Sequence, residues 1–142
     1  FVELLEVLRE HREVVLTYAS SSSVYGANKE VPFSEVQRAD TPNSLYAATK
    51  KADEAFAHVY HRLYNISATG LRFFTVYGPW GRPDMAAFAF AHRMSTNREV
   101  PVYGHGTPQR DFTYIDDVVA GVISAMALAA PLEIFNLGNN KP

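Results

Sequence analysis

An α/β fold with a largely parallel sheet is what this sequence predicts, from three observations. Short β-branched, apolar runs alternate with helix-length amphipathic segments along most of the chain. The first run, Val14-Val15-Leu16-Thr17-Tyr18-Ala19, is β-branched and apolar with no charged residue, as in a strand covered on both faces. Glycine, proline and serine cluster after the strands, which places loops at the strand exits.

The elements follow in order. Residues 1–11 carry Phe1, Leu4, Leu5 and Leu8 at helical spacing and read as the end of a helix. The strand at 14–19 runs into Ser20–Ser23, and residues 20–43 form a long polar loop with Gly26, Pro32 and Pro42. Asn43 or Ser44 can cap a helix reaching about Tyr64, with Leu45, Ala48, Ala52, Ala55, Phe56, Val59 and Leu63 as its apolar stripe. Ser67 to Phe74 is the next strand, followed by the rigid loop Gly78-Pro79-Trp80-Gly81-Arg82-Pro83. Asp84 is placed to cap a helix to about Thr96. Val100-Pro101-Val102-Tyr103 reads as a short strand whose proline suits an edge. Asp116 and Asp117 lie at the favourable end of a helix reaching about Ala129, and Glu133–Leu137 is the last strand.

Composition bounds the function. The chain has 142 residues, 47% apolar and 20% charged, enough for the core of one compact domain. A net charge of −2 offers no electrostatic case for nucleic acid or an anionic membrane. With no cysteine there are no disulfides and no thiolate metal sites. No apolar run approaches the ~18 residues of a membrane span and no signal peptide is visible, so a soluble, cytoplasmic protein is expected. An anchor preceding residue 1 stays open. The chain starts inside a helical pattern without an initiator Met, which reads as one partial domain of a longer protein.

Chemistry concentrates in Tyr46-Ala47-Ala48-Thr49-Lys50. On a helix, residues four apart share a face, so the phenol and the ammonium can converge on one point. A free phenol is a poor base at neutral pH, but a fixed positive charge about 5 Å away favours phenolate by roughly 3 kcal/mol at an effective dielectric of about 20. Such a pair is commonly only a solvated helix face; its surroundings set its meaning. His58 and His61 are three apart on the same helix, with no third ligand nearby, and read as surface residues. No metal site is expected.

Five ordered motifs carry a resemblance. They are Ala19–Gly26 (ASSSSVYG), Tyr46-x-x-x-Lys50, Leu71–Pro79 (LRFFTVYGP), Arg110-Asp111-Phe112 and Asn136-Leu137-Gly138. Together they resemble the extended short-chain dehydrogenase/reductases, above all their nucleotide-sugar epimerase branch. Thr75 to Met85 (TVYGPWGRPDM) is similar to the UDP-glucuronate 4-epimerases, where galactose epimerases of the family usually carry Asn in place of Thr75.

The resemblance implies a Rossmann-like, doubly wound parallel sheet plus part of a small substrate-binding α/β region. About 1–75 would be the second half of the Rossmann core; about 76–142 would be mostly substrate-binding region interleaved with core elements. The family's Gly-x-x-Gly-x-x-Gly turn is missing from the eight glycines, at 26, 70, 78, 81, 104, 106, 121 and 138. Either the turn lies upstream, or this is a degenerate family member that has lost its cofactor.

The implied activity is NAD-dependent 4-epimerisation of a UDP-sugar through a 4-keto intermediate, with UDP-glucuronate as the expected substrate. Open alternatives are a neutral UDP-sugar, such as UDP-glucose or UDP-N-acetylglucosamine, and a catalytically silent nucleotide-sugar-binding protein. The resemblance makes Tyr46 the base at the sugar 4-hydroxyl. Lys50 supports Tyr46 and the nicotinamide ribose, and Ser21 shares the hydroxyl proton, with Ser22 as fallback and substrate contact. Phe73 would pack beside the nicotinamide, and Arg110 would bind the diphosphate. Tyr103 would back the uracil or else pack in the core. Arg82 is expected to grip a sugar carboxylate as a bidentate pair, with Thr75 as a second contact. Dehydratases of the family carry Asp-Glu where Ser22 and Ser23 stand, so dehydration is disfavoured. A homodimer through the helices at 1–11 and 44–64 is also implied. Residues 1–142 alone are expected to be inactive and to bind NAD weakly or not at all.

Overall fold

A computed structural model describes residues 1–140. Strands β1 (Leu16–Ser21), β2 (Ala68–Phe73) and β5 (Leu132–Leu137) form a fully parallel sheet in the order β1-β2-β5. The register pairs Tyr18 with Gly70 and Gly70 with Ile134. The central strand β2 is buried from Ala68 to Arg72, as both-faces coverage requires. Gly70 is needed there, because a Cβ would lie 2.7 Å from the Tyr18 hydroxyl that crosses it. Helices α2 (Leu45–Tyr64) and α4 (Ile115–Leu128) complete the α/β, Rossmann-like layering. Helix α1 (Val2–Leu8) closes one end, where Leu5 and Leu8 pack with Ile66.

Three expectations need correction. Residues Val100–Tyr103 are not a strand: Pro101 supplies no amide donor, and Val102 and Tyr103 are exposed. The short strand lies instead at β4 (Phe112–Tyr114), paired in parallel with β3 (Thr75–Tyr77) in a second, two-stranded sheet. Asp84 does not cap α3 (Ala86–Ser95); its N-cap is Met85, with no side-chain cap bond, because the Asp84 carboxylate is taken by Arg82.

The third concerns the inner face of α2. Leu45, Phe56, Val59 and Leu63 are exposed, and the helix instead turns Ala47, Glu54 and Ala57 to the sheet. Two alanines allow close approach, and the polar residue between them finds dedicated partners. Glu54 accepts from Arg72 Nε at 2.8 Å and Nη2 at 2.9 Å, from Ser20 Oγ at 2.7 Å and from Lys51 Nζ at 3.0 Å. Arg72 Nη1 donates to the Tyr25 hydroxyl at 2.8 Å, which donates to Asn136 Oδ1 at 2.8 Å. Ser20, Glu54 and Arg72 are all buried.

Burial opposes the charge on Glu54, but the bonds from Arg72, Ser20 and Lys51 outweigh it and hold the carboxyl below its ordinary value. A carboxyl depressed in the folded state contributes stability above its unfolded pKa, about 4.3, and loses it as pH falls through the folded value. Removing one partner of such a buried pair costs about 3–5 kcal/mol. Thermal denaturation of the full-length protein should therefore show Glu54→Gln well below wild type at neutral pH. The gap should close progressively as pH drops below about 4. A gap independent of pH would mean that the ionised pair is not what Glu54 contributes.

Candidate active site

The carboxyl end of β1 turns into a 3₁₀ helix, Ser22–Tyr25, whose N-cap is Ser21. The Ser21 oxygen accepts from the Ser23 amide at 3.2 Å and from the Ser23 hydroxyl at 2.9 Å. A hydroxyl has two lone pairs and one hydrogen, so these two bonds leave the Ser21 proton to be donated elsewhere. Ser21 is thus both a cap and a candidate donor. The turn closes at Gly26, with φ +57° and a Cβ direction blocked by the Thr41 carbonyl, where only glycine fits.

Helix α2 starts where its cap dictates. Ser44 Oγ accepts from the Ala47 amide at 3.0 Å, which puts Tyr46 in the first turn and Lys50 one turn further. Lys50 Nζ donates to the Ala19 carbonyl of β1 at 3.0 Å and lies 3.4 Å from Asp53 Oδ2. The ammonium is therefore fixed against the strand that ends in Ser21. A third N–H of Lys50 has no partner among the described residues. The Tyr46 hydroxyl has none either, and its ring is half exposed.

Tyr46 and Ser21, but not Lys50, border one cavity of about 590 Å³ at the carboxyl ends of β1 and β2. Ser21, Ser22, Tyr46, Phe73, Thr75 and Arg82 line it, with Phe74, Trp80, Met85 and Ile115 among the remaining walls. The position suits a ligand, since open parallel sheets bind at the carboxyl ends of their strands. The adjoining loop is set by Gly78, at φ +135°, where a Cβ would lie 2.5 Å from Ile115 Cγ2. Trp80 is fully exposed at φ +64°. No Asp or Glu is among the lining residues. The chemistry available is proton exchange with a hydroxyl, by a phenol and a serine beside a held ammonium.

Other expected residues stand apart. Arg82 borders the cavity, yet it is exposed and pairs with Asp84, Nε at 3.1 Å and Nη2 at 2.9 Å. Tyr103 and Arg110 are exposed and do not line the cavity. Among the described residues Tyr103 is not packed into a core, and Arg110 donates to the Gln109 carbonyl. His58 is exposed, but His61 Nδ1 lies 3.0 Å from the Ile66 carbonyl and helps close the helix end. The described residues hold no group of three or more His, Asp or Glu suited to a metal, and no helix long and apolar enough to cross a membrane.

Two groups escaped the sequence reading. Asp111 accepts the amides of Asn139 and Asn140 and binds the end of β5 to the second sheet. The Arg110-Asp111-Phe112 motif contains it, but the pattern does not show that its carboxylate ties two sheets together. The Ser20–Glu54–Arg72 cluster had a usable signal: Ala47, Lys50, Glu54 and Ala57 share one helical face, so a helix that turns Lys50 to the sheet also turns Glu54 inward.

Residues 1–138 match the model of the NAD dependent epimerase/dehydratase family. The chain is 51% identical to UDP-glucuronate 4-epimerase 3 of Arabidopsis thaliana, over all of this chain and 37% of that protein. Among solved structures it resembles UDP-glucuronic acid 4-epimerase from Bacillus cereus in complex with UDP-glucuronic acid and NAD. That match has a TM-score of 0.85 and 38% identity, over 96% of this chain and 43% of that one. It also superimposes on dTDP-glucose 4,6-dehydratase from Bacillus anthracis in complex with NAD, with a TM-score of 0.92, 26% identity, and coverage of 99% and 45%. The chain spans less than half the length of these relatives.

Proposed function

The chain belongs to the NAD dependent epimerase/dehydratase family, and on that premise we propose that the full-length protein is an NAD-dependent 4-epimerase acting on UDP-glucuronate. The observation carrying this reading is that Ser21, Tyr46, Thr75 and Arg82 border one cavity while Lys50 is pinned to β1. A carboxyl-free cavity wall suits a redox epimerase better than a dehydratase, which must protonate and deprotonate to expel water.

The residues present fit the nicotinamide end of the cofactor. The spare Lys50 donor and the Tyr46 hydroxyl suit a ribose diol, and Phe73 offers an apolar wall. NAD, when bound, would supply a reversible hydride acceptor, taking hydride from the sugar carbon and returning it to the opposite face so that the cofactor ends unchanged. Tyr46 takes the 4-hydroxyl proton, Ser21 donates its free hydrogen to the same oxygen, and Lys50 favours the phenolate. Arg82 and Thr75 hold the sugar carboxylate, Ser22 adds a substrate contact, and Arg110 and Tyr103 approach the nucleotide from the exposed 101–111 segment. Interconversion of UDP-glucuronate and UDP-galacturonate by the full-length protein with NAD is the direct test. The Arg82–Asp84 pair favours a second reading, a neutral UDP-sugar, because it leaves the guanidinium already satisfied.

The homodimer is part of the same proposal. Leu4 and Val7 of α1 and Phe56, Val59 and Leu63 of α2 are exposed, and the sheet does not use them. Exposed apolar side chains on two helices suit burial against a second copy of the chain. Sedimentation of the full-length protein at micromolar concentration should give a dimer, and Leu63→Glu should shift it to monomer. A wild-type monomer would remove this assignment.

A further inference from the structure

The buried polar cluster sits one helical turn beyond Lys50, and its strand partner occupies a telling position. Ser20 lies between Ala19, whose carbonyl holds Lys50, and Ser21, which lines the cavity. We propose that Ser20, Glu54 and Arg72 are positioning residues for the reaction, locking the register of α2 against the end of β1. This rests on the catalytic reading of Tyr46, Lys50 and Ser21.

The physical case is one of directionality. Apart from the Lys50 bond to the Ala19 carbonyl, the inner face of α2 offers Ala47 and Ala57, whose contacts are non-directional and permit sliding. A buried ion pair is weak as a stabiliser compared with apolar packing, but its hydrogen bonds specify geometry. Glu54 collects donors from β1 through Ser20 and from β2 through Arg72, at 2.7 to 2.9 Å. Arg72 continues through Tyr25 to Asn136 on β5, so the turn after Ser21 belongs to the same network. The guanidinium also lies 4.8 Å above the Tyr25 ring. One cluster thus sets the helix bearing Tyr46 and Lys50 and the turn bearing Ser21 and Ser22. A misplacement of about 1 Å between reacting groups can cost about 100-fold in rate.

The test uses the full-length enzyme with NAD, assayed well below the melting temperature of each variant. Ser20→Ala removes one bond and leaves no bare charge. It should lower kcat about 10-fold with KM for the UDP-sugar unchanged. Glu54→Gln should lower kcat further. In a Lys50→Ala background, Ser20→Ala should cost clearly less than in wild type, because one of the groups it positions is gone. Equal fold losses in both backgrounds would overturn the proposal. So would wild-type kcat in Ser20→Ala accompanied only by a lower melting temperature. If Tyr46→Phe and Lys50→Ala themselves turn over normally, the catalytic reading falls and this inference with it. Inactive Tyr46→Phe with an additive cycle removes the positioning role alone.

Discussion

Tyr46→Phe in the full-length protein should lower kcat by about 10²- to 10⁴-fold, the usual range for loss of a positioned acid–base group. UDP-sugar affinity should hardly change. The ring carries the apolar contact with the cavity wall, and the substitution leaves it in place. Only the hydroxyl is lost, and no residue lining the cavity can replace it: the walls hold no carboxylate and no histidine. Ser21 cannot substitute, since its oxygen already accepts two bonds from Ser23 and it is a far weaker base than a phenolate. Helix α2 needs nothing from the hydroxyl, so stability should be close to wild type. Rapid-quench turnover together with calorimetric UDP-sugar binding distinguishes a lost base from a lost site. Turnover within a few-fold of wild type would remove Tyr46 from the chemistry.

The second large effect concerns substrate choice. Arg82→Ala should weaken kcat/KM for UDP-glucuronate about 10- to 150-fold, matching the roughly 1.5–3 kcal/mol of a charge-assisted pair to a carboxylate. UDP-glucose turnover should change little. The Arg82–Asp84 pair does not prevent this. Both side chains are largely exposed, and such pairs contribute only about 0–1 kcal/mol, so a substrate carboxylate within the cavity can displace Asp84. The same exchange sharpens selectivity, because a neutral sugar offers the guanidinium no carboxylate to replace Asp84. Comparing both sugars on wild type and Arg82→Ala decides the matter. A wild type that prefers UDP-glucose, or a variant equally impaired on both, would leave a 4-epimerase of neutral sugars.

Much of this molecule was readable from its residues. The runs at β1, β2 and β5, the capped helix beginning at Ser44 and the acidic start of α4 are local patterns, set by β-branched apolar composition, a side-chain cap and the helix dipole. Burial on both faces holds only for β2, since Val14 and Val15 are exposed and β1 and β5 are partly covered. The pairing of Tyr46 with Lys50 follows from helical periodicity alone. Periodicity does not reveal which face of an amphipathic helix meets its own sheet. The strongest apolar stripe of α2 faces outward, and Glu54 faces in, because a partner arginine waits on a strand 18 residues away. Strand pairing is non-local in the same sense. Val100–Tyr103 has strand-like composition but no strand neighbour among the described residues, whereas Phe112–Tyr114 lies beside β3 and becomes a strand. Residue type and spacing determined the elements and the reactive pair. Tertiary structure alone decided which side chains share the cavity, which helix face is buried and what Asp84 and Glu54 bind, because those outcomes depend on partners that sequence order does not place side by side.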